Sequence, residues 1–190
     1  MNNPLAILST FDANLRKRTE LTLYGRSALA LGFPQTRPEY KITEDVDVIL
    51  PLQQLELLKE DESFWHAQEL SNQQLQAQGL YLTHLFSEYD IIIQPDWLSR
   101  RVGIDESFQQ LILFRPGSID LILTKMMRDD RQDLDDIRFL LEQESLSPED
   151  LAIAFQRARI PQLPEFDEIF KGMQSKVLAL ATEVAATKES

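Results

Sequence analysis

The stretch that most constrains the fold of this chain runs from residue 21 to residue 50. It begins with an apolar segment, Leu21-Thr22-Leu23-Tyr24, which is followed directly by the turn Gly25-Arg26-Ser27 and by a short helix-forming segment. A second segment, Thr43-Glu44-Asp45-Val46-Asp47-Val48, then alternates acidic and apolar residues. This order predicts a strand, a tight glycine turn, the start of a helix, a loop and a second strand.

Asp45 and Asp47 are the informative residues of the second strand. Because side chains alternate between the two faces of a strand, both carboxylates point the same way, about 6.6 Å apart along the backbone. Val46 and Val48 point to the opposite face. Paired carboxylates offer the oxygen ligands that Mg²⁺ or Mn²⁺ prefers, so we predict a metal site here. A lone Asp-x-Asp pair is also common on strands that bind nothing, and this alternative stays open.

The turn at Gly25 suggests what such a metal would accompany. Glycine lets the backbone approach a ligand closely, Ser27 can cap the following helix, and free N–H groups at a helix start favour an anion. A phosphate site beside a metal-binding pair indicates a nucleoside triphosphate. A Gly-x-Ser turn is a weak signal by itself, and its order and spacing relative to the two aspartates make it informative.

Together, the two segments resemble the signature of the nucleotidyltransferase superfamily, which has the DNA polymerase β-like fold. The resemblance is greatest to small prokaryotic nucleotidyltransferase-like proteins related to the abortive-infection, type IV toxin nucleotidyltransferases. Arg26 departs from the family pattern, which usually has a second glycine at this place. The resemblance leaves two readings of Arg26, a further phosphate contact or an altered phosphate site.

Proteins of this superfamily generally take a third carboxylate from a neighbouring strand. The segment Tyr89-Asp90-Ile91-Ile92-Ile93 is similar to that element, and we predict a strand there. The resemblance implies that Asp90 is a general base or a ligand of a second metal. From the residues alone, Asp90 could equally begin a strand after a turn.

A second family-like element runs from Asp120 to Asp136 and has the pattern Asp-Leu-x-x-x-Lys-x-x-Arg, then Arg-x-Asp-Leu-x-Asp. Lys125 and Arg128 are three positions apart on one predicted helix face, so both could reach a triphosphate. By resemblance, Lys125 would contact the β- and γ-phosphates and Asp133 would lie near the site. Without the resemblance, the same pattern is typical of a solvated helix face with ion pairs.

Composition limits the other classes of function. The 190 residues carry a formal net charge of −12, which disfavours DNA and any broad nucleic-acid binding through a basic surface. The chain has no cysteine and only two histidines, so we expect no disulfide, no thiol nucleophile and no zinc site. Without an apolar run of membrane length or a signal pattern, we expect a cytoplasmic protein that does not contact a membrane.

The remaining pattern predicts further elements. Helices are expected over residues 4–19, 51–59, 62–78, 118–142, 148–159 and 166–187, and strands over 80–86 and 109–114. Within 118–142 we expect a break near Asp129-Asp130, and we expect Ser118 and Ser147 to cap the helices that follow them. The expected fold class is therefore α/β, with the mixed, twisted sheet of the nucleotidyltransferase fold, flanking helices and a C-terminal helical part. We predict a nucleotidyltransferase core over residues 1–117 and a helical region, packed on that core, over residues 118–190.

The function expected from these features is metal-dependent transfer of NMP from an NTP with Mg²⁺ or Mn²⁺ to an acceptor hydroxyl. A tRNA, a protein and a small molecule all remain open as acceptors. The residues expected to be catalytic and to hold metal are Asp45, Asp47 and Asp90. The residues expected to bind the nucleotide are Gly25, Arg26, Ser27, Lys125 and Arg128.

Two alternatives remain. The chain could be a degenerate nucleotidyltransferase fold that binds a nucleotide or a partner protein without catalysis. It could also be a toxin–antitoxin component with an antitoxin-type partner, which is compatible with enzymatic activity. The long final amphipathic helix is the hint of such a partner in the sequence.

Overall fold

The computed structural model describes residues 2–188, without the side chains at positions 83 and 84. The α-helices within this range are α1 (Asn3–Asn14), α2 (Gly25–Leu31), α3 (Leu52–Lys59), α4 (Glu62–Leu75), α5 (Ser118–Lys125), α6 (Arg131–Gln143), α7 (Pro148–Arg157) and α8 (Pro164–Lys188). The strands are β1 (Thr19–Tyr24), β2 (Asp45–Leu50), β3 (Tyr81–Ser87), β4 (Val102–Gly103) and β5 (Leu111–Arg115). Short 3₁₀ helices cover Pro38–Ile42, Gln76–Gln78 and Trp97–Arg100.

The strands described above form an open, five-stranded mixed sheet in the order β3-β2-β1-β5-β4. The central strand β1 is antiparallel to β2 and parallel to β5. Strand β3 runs parallel to β2, and β4 runs antiparallel to β5. The predicted α/β class, with a mixed sheet, flanking helices and C-terminal helices, is therefore confirmed.

The chain divides into two compact units. The first unit consists of Met1–Glu88 and Arg101–Pro116 and contains the whole sheet, and the second consists of Tyr89–Arg100 and Gly117–Ser190. The predicted division placed its boundary after residue 117 and assigned residues 89–100 to the core. In the structure, this segment groups with the C-terminal helices instead.

In the first unit, one face of the sheet is covered by helices. Leu23 of β1 and Val46 and Val48 of β2 are fully buried. Helices α1 and α4 pack together next to β2 and β3, and the rings of Phe11 and Phe64 meet edge to face with centroids 5.5 Å apart. Because side chains alternate along a strand, burying these apolar residues turns Asp45 and Asp47 to the other face.

In the second unit, Asp120 at the start of α5 holds the segment Tyr89–Arg100 in place. Its carboxylate accepts hydrogen bonds from the backbone N–H of Gln94 at 3.0 Å and from the Arg100 guanidinium at 2.9 Å. Burial raises the pKa of the Asp120 carboxyl, and both hydrogen bonds oppose that rise. Because the buried Asp120 carboxylate is bonded to Gln94 and to the charged Arg100, residues 89–100 group with the helical unit.

The strand predicted over residues 89–93 is wrong. Strand β3 ends at Ser87, the following residues form a turn, and only Ile93 makes an isolated antiparallel bridge, to Arg159. The apolar residues Ile91 and Ile92 are buried, as a strand would bury them. A short continuous apolar run shows that a segment is buried but does not show that it pairs as a strand.

The break predicted near Asp129-Asp130 is confirmed, whereas the helix cap predicted at Ser118 is wrong. Helix α5 ends at Lys125, and α6 begins after the N-cap Asp130. Gly117 is the N-cap of α5, while the Ser118 hydroxyl donates to Glu144. The predicted cap at Ser147 is confirmed, since its hydroxyl forms a capping box with Asp150.

The final helix α8 uses its apolar stripe inside the second unit. Phe170, Met173 and Val177 are buried, and α8 packs against α6 and α7. The stripe that suggested a partner surface is thus largely covered by this chain's own helices. Across residues 2–188, no helix combines the length and the low charge needed to cross a bilayer.

Candidate metal and nucleotide site

The two aspartates of β2 lie on one face of the sheet. Asp45 and Asp47 are half-buried and alternate with the fully buried Val46 and Val48, as the sequence predicts. The hydroxyl of Thr43 donates a hydrogen bond of 3.0 Å to Asp45 Oδ1. This contact, which the sequence reasoning did not assign, orients the first carboxylate. A threonine two positions before an aspartate is a local signal for such a bond.

Gly25 lies directly beside the second carboxylate. Its φ is +63°, and an ideal Cβ at this position would lie 3.2 Å from Asp47 Oδ2. The pairing of Tyr24 with Asp47 across β1 and β2 produces this closeness, because Gly25 is the next residue. Both the left-handed backbone and the near carboxylate favour glycine. The predicted neighbourhood of glycine turn and aspartate is thus present.

The role expected of Ser27 as a helix cap is wrong. Gly25 is already the first residue of α2, and its N-cap is Tyr24, which makes no side-chain cap. Ser27 is buried and its hydroxyl donates to the carbonyl oxygen of Tyr24 at 2.9 Å. Helix α2 is also only seven residues long. The hydroxyl therefore serves the local backbone of the turn, and its predicted role in nucleotide binding stays a prediction.

Arg26, the residue that departs from the family pattern described above, packs on an aromatic ring. Its guanidinium carbon lies 5.5 Å from the centroid of the buried Tyr40 ring. Tyr40 comes from the 3₁₀ helix Pro38–Ile42, on the far side of a proline-containing loop. This distance is in the range of a cation–π contact. No local pattern in the sequence predicts this pairing.

Asp90, the expected third carboxylate, lies in the bend after β3 and is exposed. It belongs to the second unit, whereas Asp45 and Asp47 belong to the first. Among the side chains that the structure describes, which exclude those at positions 83 and 84, no three of His, Cys, Asp or Glu are arranged so that they could share a metal ion. A metal-binding role for Asp90 remains a prediction from the resemblance.

Lys125 and Arg128 are engaged with carboxylates of α6 in the second unit. The Lys125 ammonium lies 2.6 Å from Asp136 Oδ2 and 3.1 Å from Asp133 Oδ1, and all three side chains are buried. Arg128 Nε donates to Asp133 Oδ2 at 3.0 Å, although its side chain is mostly exposed. Without the resemblance, we expect Lys125 to lie on a solvated helix face. This expectation is wrong, because Lys125 is buried and forms its ion pairs inside the second unit.

The strand beside the aspartates adds polar and aromatic groups to their face of the sheet. The ring of Tyr24 meets Phe86 edge to face, with centroids 5.5 Å apart. Thr22, on the same side of β1, accepts a hydrogen bond from Arg101 at 3.2 Å. The Arg101 guanidinium also lies 4.1 Å from the ring centroid of Phe114. The sequence reasoning missed these residues, although the alternation of β1 places Thr22 and Tyr24 on one face.

Comparison with protein-family models, with curated proteins and with solved structures gave no match. Chemically, Asp45 and Asp47 offer carboxylate oxygens to a hard divalent cation, and the backbone at Gly25 approaches within reach of the same carboxylate. A divalent cation bound by two protein carboxylates would keep further coordination positions for water or for the oxygens of a ligand. This set of donors fits Mg²⁺ or Mn²⁺ better than a softer metal.

Proposed function

We propose that the chain is a metal-dependent nucleotidyltransferase with the DNA polymerase β-like fold. In the proposed reaction, an acceptor hydroxyl oxygen attacks the α-phosphorus of an NTP, and the bond to the β-phosphate oxygen breaks. NMP is joined to the acceptor, pyrophosphate leaves, and the hydroxyl proton passes to a base or to water. The cation supplies charge stabilisation on the phosphoryl oxygens.

The observation that carries the proposal is the position of Gly25 beside Asp47. A nucleotide bound through its cation needs carboxylates and an unobstructed backbone at the same point. Gly25 has no side chain beside Asp47, where an ideal Cβ would lie 3.2 Å from Oδ2, and Asp45 shares the face of β2 with Asp47. A side chain at residue 25 would occupy the space next to the carboxylate.

The remaining residue roles are proposed from the resemblance. In this proposal Asp45 and Asp47 hold the cation, and Arg26 adds positive charge at the turn. Asp90 would receive the acceptor proton, and Lys125 and Arg128 would contribute to nucleotide binding. Because Lys125 already contacts two buried carboxylates, its proposed phosphate contact requires those ion pairs to rearrange.

Metal binding is the first test. Titration of the full chain with Mn²⁺, followed by electron paramagnetic resonance with and without ATP, should show saturable binding that ATP strengthens. The double variant Asp45→Asn/Asp47→Asn should lose it, and Asp105→Asn, which removes one exposed charge from the first unit, should keep it. Equal Mn²⁺ binding by the double variant and the wild type would refute the site.

Transfer is the second test. NTPs labelled at the α-phosphate should be incubated with Mg²⁺ and with total tRNA, the chain itself or a protein extract as acceptor. Label on one of these acceptors in the wild type, and its loss in Asp45→Asn/Asp47→Asn, is the expected result. Metal-dependent NTP binding without transfer to any acceptor would favour the second candidate below.

The second candidate is a nucleotide-binding protein of the same fold without catalytic activity. It is favoured by the internal ion pairs of Lys125 and by the lack, among the described residues, of a third carboxylate grouped with the pair on β2. This protein would bind NTP with Mn²⁺ through Asp45 and Asp47 but release the nucleotide unchanged.

The biological setting is proposed from the resemblance alone. A cytoplasmic toxin–antitoxin component would have a partner protein and a cellular acceptor such as tRNA. The buried stripe of α8 offers that partner little apolar surface, so a partner would have to bind elsewhere. Co-purification of the chain with the product of a neighbouring gene would support this setting.

A further inference from the structure

A groove in the first unit lies between the outer face of α4 and the start of β3. It is open to solvent and has a volume of about 480 Å³. Its lining combines two aromatic rings with amide and carboxylate side chains: Trp65, Gln68, Glu69, Asn72, Gln73 and Tyr81. All of these residues belong to the unit that contains the sheet.

The inner wall of the groove is fixed by hydrogen bonds that need no ligand. The Asn72 amide both donates to the carbonyl of Leu82 at 3.0 Å and accepts from its N–H at 2.8 Å. Gln68 donates to the same carbonyl at 3.1 Å. The indole N–H of Trp65 donates to the carbonyl of Leu58 at 2.7 Å. A wall held in this way keeps its shape before a ligand arrives, which lowers the entropic cost of binding.

The rim of the groove carries polar groups that point to one class of ligand. Glu69 and Gln73 are exposed and share only a long contact of 3.4 Å. A carboxylate and an amide together offer acceptors and donors, which match the hydroxyl groups of a ligand. None of the lining residues is a lysine or an arginine, and Glu69 repels anions. A phosphate-bearing ligand is therefore disfavoured.

The aromatic residues of the groove, Trp65 and Tyr81, offer apolar surface to a ligand. Tyr81 is 38% exposed, and Trp65 is half-buried, with its ring edge to face against Phe64 at 5.2 Å between centroids. Exposed rings in a polar groove pack well against the C–H face of a ligand whose edges form hydrogen bonds. Sugars have such alternating C–H faces and hydroxyl edges. We propose that this groove binds a neutral saccharide, independently of the carboxylates at Asp45 and Asp47.

Nuclear magnetic resonance on the full chain tests this proposal with two probes, maltotriose and tri-N-acetylchitotriose at millimolar concentration. The chain has two tryptophans, so the indole N–H of Trp65 reports on the groove and that of the buried Trp97 serves as an internal reference. The expected result is a saturable shift of the Trp65 signal with at least one probe, while the Trp97 signal stays in place.

Variants show whether the shift arises in the groove. Tyr81→Ala should weaken binding about tenfold through the lost ring contact, and Tyr81→Phe should keep most of it. Gln73→Ala should also weaken binding, whereas Gln53→Ala, which changes an exposed glutamine of α3, should not. The Trp97 signal reports on folding of the second unit only, so the dispersed backbone spectrum is recorded for each variant.

Three results would overturn the proposal. The first is no saturable Trp65 shift with either trisaccharide. The second is a shift that Tyr81→Ala leaves unchanged in a folded protein. The third is stronger binding of inorganic phosphate or glucose 6-phosphate than of the neutral probes. Since none of these readouts uses metal or NTP, failure here is distinct from failure of the proposed transferase function.

Discussion

Gly25 and Asp47 are neighbours at the end of the β1–β2 pair, where an ideal Cβ on the glycine would lie only 3.2 Å from a carboxylate oxygen. Their proximity joins the two sequence segments from which a nucleotide site is predicted. It arises because Tyr24 and Asp47 are register partners and the chain turns directly after Tyr24. Residue 25 therefore controls both the turn and the environment of the carboxylate.

Gly25→Ala should destabilise the fold and weaken Mn²⁺ binding. A left-handed residue with a Cβ costs about 1–2 kcal/mol, and at this position the new methyl group would also displace the Asp47 carboxylate. Urea unfolding and Mn²⁺ titration measure the two effects. Gly79→Ala is a matched control, because Gly79 has φ +68° and no atom within 4 Å of an ideal Cβ. Equal Mn²⁺ affinity in both variants would contradict the proposed site.

Lys125→Met should destabilise the protein by about 3–5 kcal/mol, because it removes the buried cation that Asp133 and Asp136 share, while Arg128 keeps its contact with Asp133. Asp133 and Asp136 are both nearly inaccessible to solvent. Lys176→Met removes a lysine from an ion pair of similar length, 2.6 Å to Asp129, that is about half exposed, and should cost about 0–1 kcal/mol. Urea unfolding of both variants checks the difference. Equal losses would mean that the internal ion pairs do not stabilise the fold.

Asp61 should make the stability of the protein depend on pH under acidic conditions. Hydrogen bonds from Ser63 and then from Lys17 lower the pKa of Asp61 from its ordinary value of 3.8 to about 2. Since the folded pKa is below the unfolded one, the ionised carboxylate stabilises the fold above pH 4, and this contribution is lost as the pH falls through about 2.

Urea unfolding between pH 5 and pH 2 measures this dependence. Asp61→Asn keeps a good N-cap residue for α4 but removes the charge, so its free energy of unfolding should fall less steeply over that interval than that of the wild type. Asp105→Asn, in an exposed loop, should retain the wild-type slope. An unchanged slope in Asp61→Asn would show that other carboxylates cause the acid sensitivity.

Gly172→Ala should stabilise the protein by about 0.5–1 kcal/mol, because alanine loses less backbone entropy than glycine in a helix. Gly172 lies in α8, and no atom is within 4 Å of an ideal Cβ there. The opposite sign is expected for Gly32→Ala, whose Cβ would overlap Arg115 Cδ and lie 2.6 Å from the carbonyl oxygen of Ala28. Thermal unfolding of the two variants distinguishes these effects, and a stabilising Gly32→Ala would contradict the packing around Arg115.

The features that could be predicted from the sequence depend on residues close together in the chain. The alternation at Asp45 and Asp47 fixes their common face, and the Ser147–Asp150 capping box marks the start of α7. Strand and helix periodicity gave the α/β class for the same reason. In the candidate site, the aspartate pair and the glycine turn belong to this group.

The features that could not be predicted depend on residues that meet only after folding. The local pattern around Lys125 is typical of a solvated helix face. In the structure, Lys125 is buried and forms ion pairs with two carboxylates of α6. The run Ile91–Ile93 has the composition of a strand, but no neighbouring strand pairs with it beyond one bridge at Ile93. Burial and pairing partners are properties of the whole fold, and a local pattern does not contain them.

The sequence by itself determined the order of the elements around residues 21–50 and the direction of the two carboxylates, since both follow from the two-residue period of a strand. Only the tertiary structure decided that Gly25 faces Asp47, that Arg26 packs on Tyr40 and that residues 89–100 join the helical unit. The physical reason is that these contacts depend on strand register and on which buried charges find partners, and both are set by residues far apart in the chain.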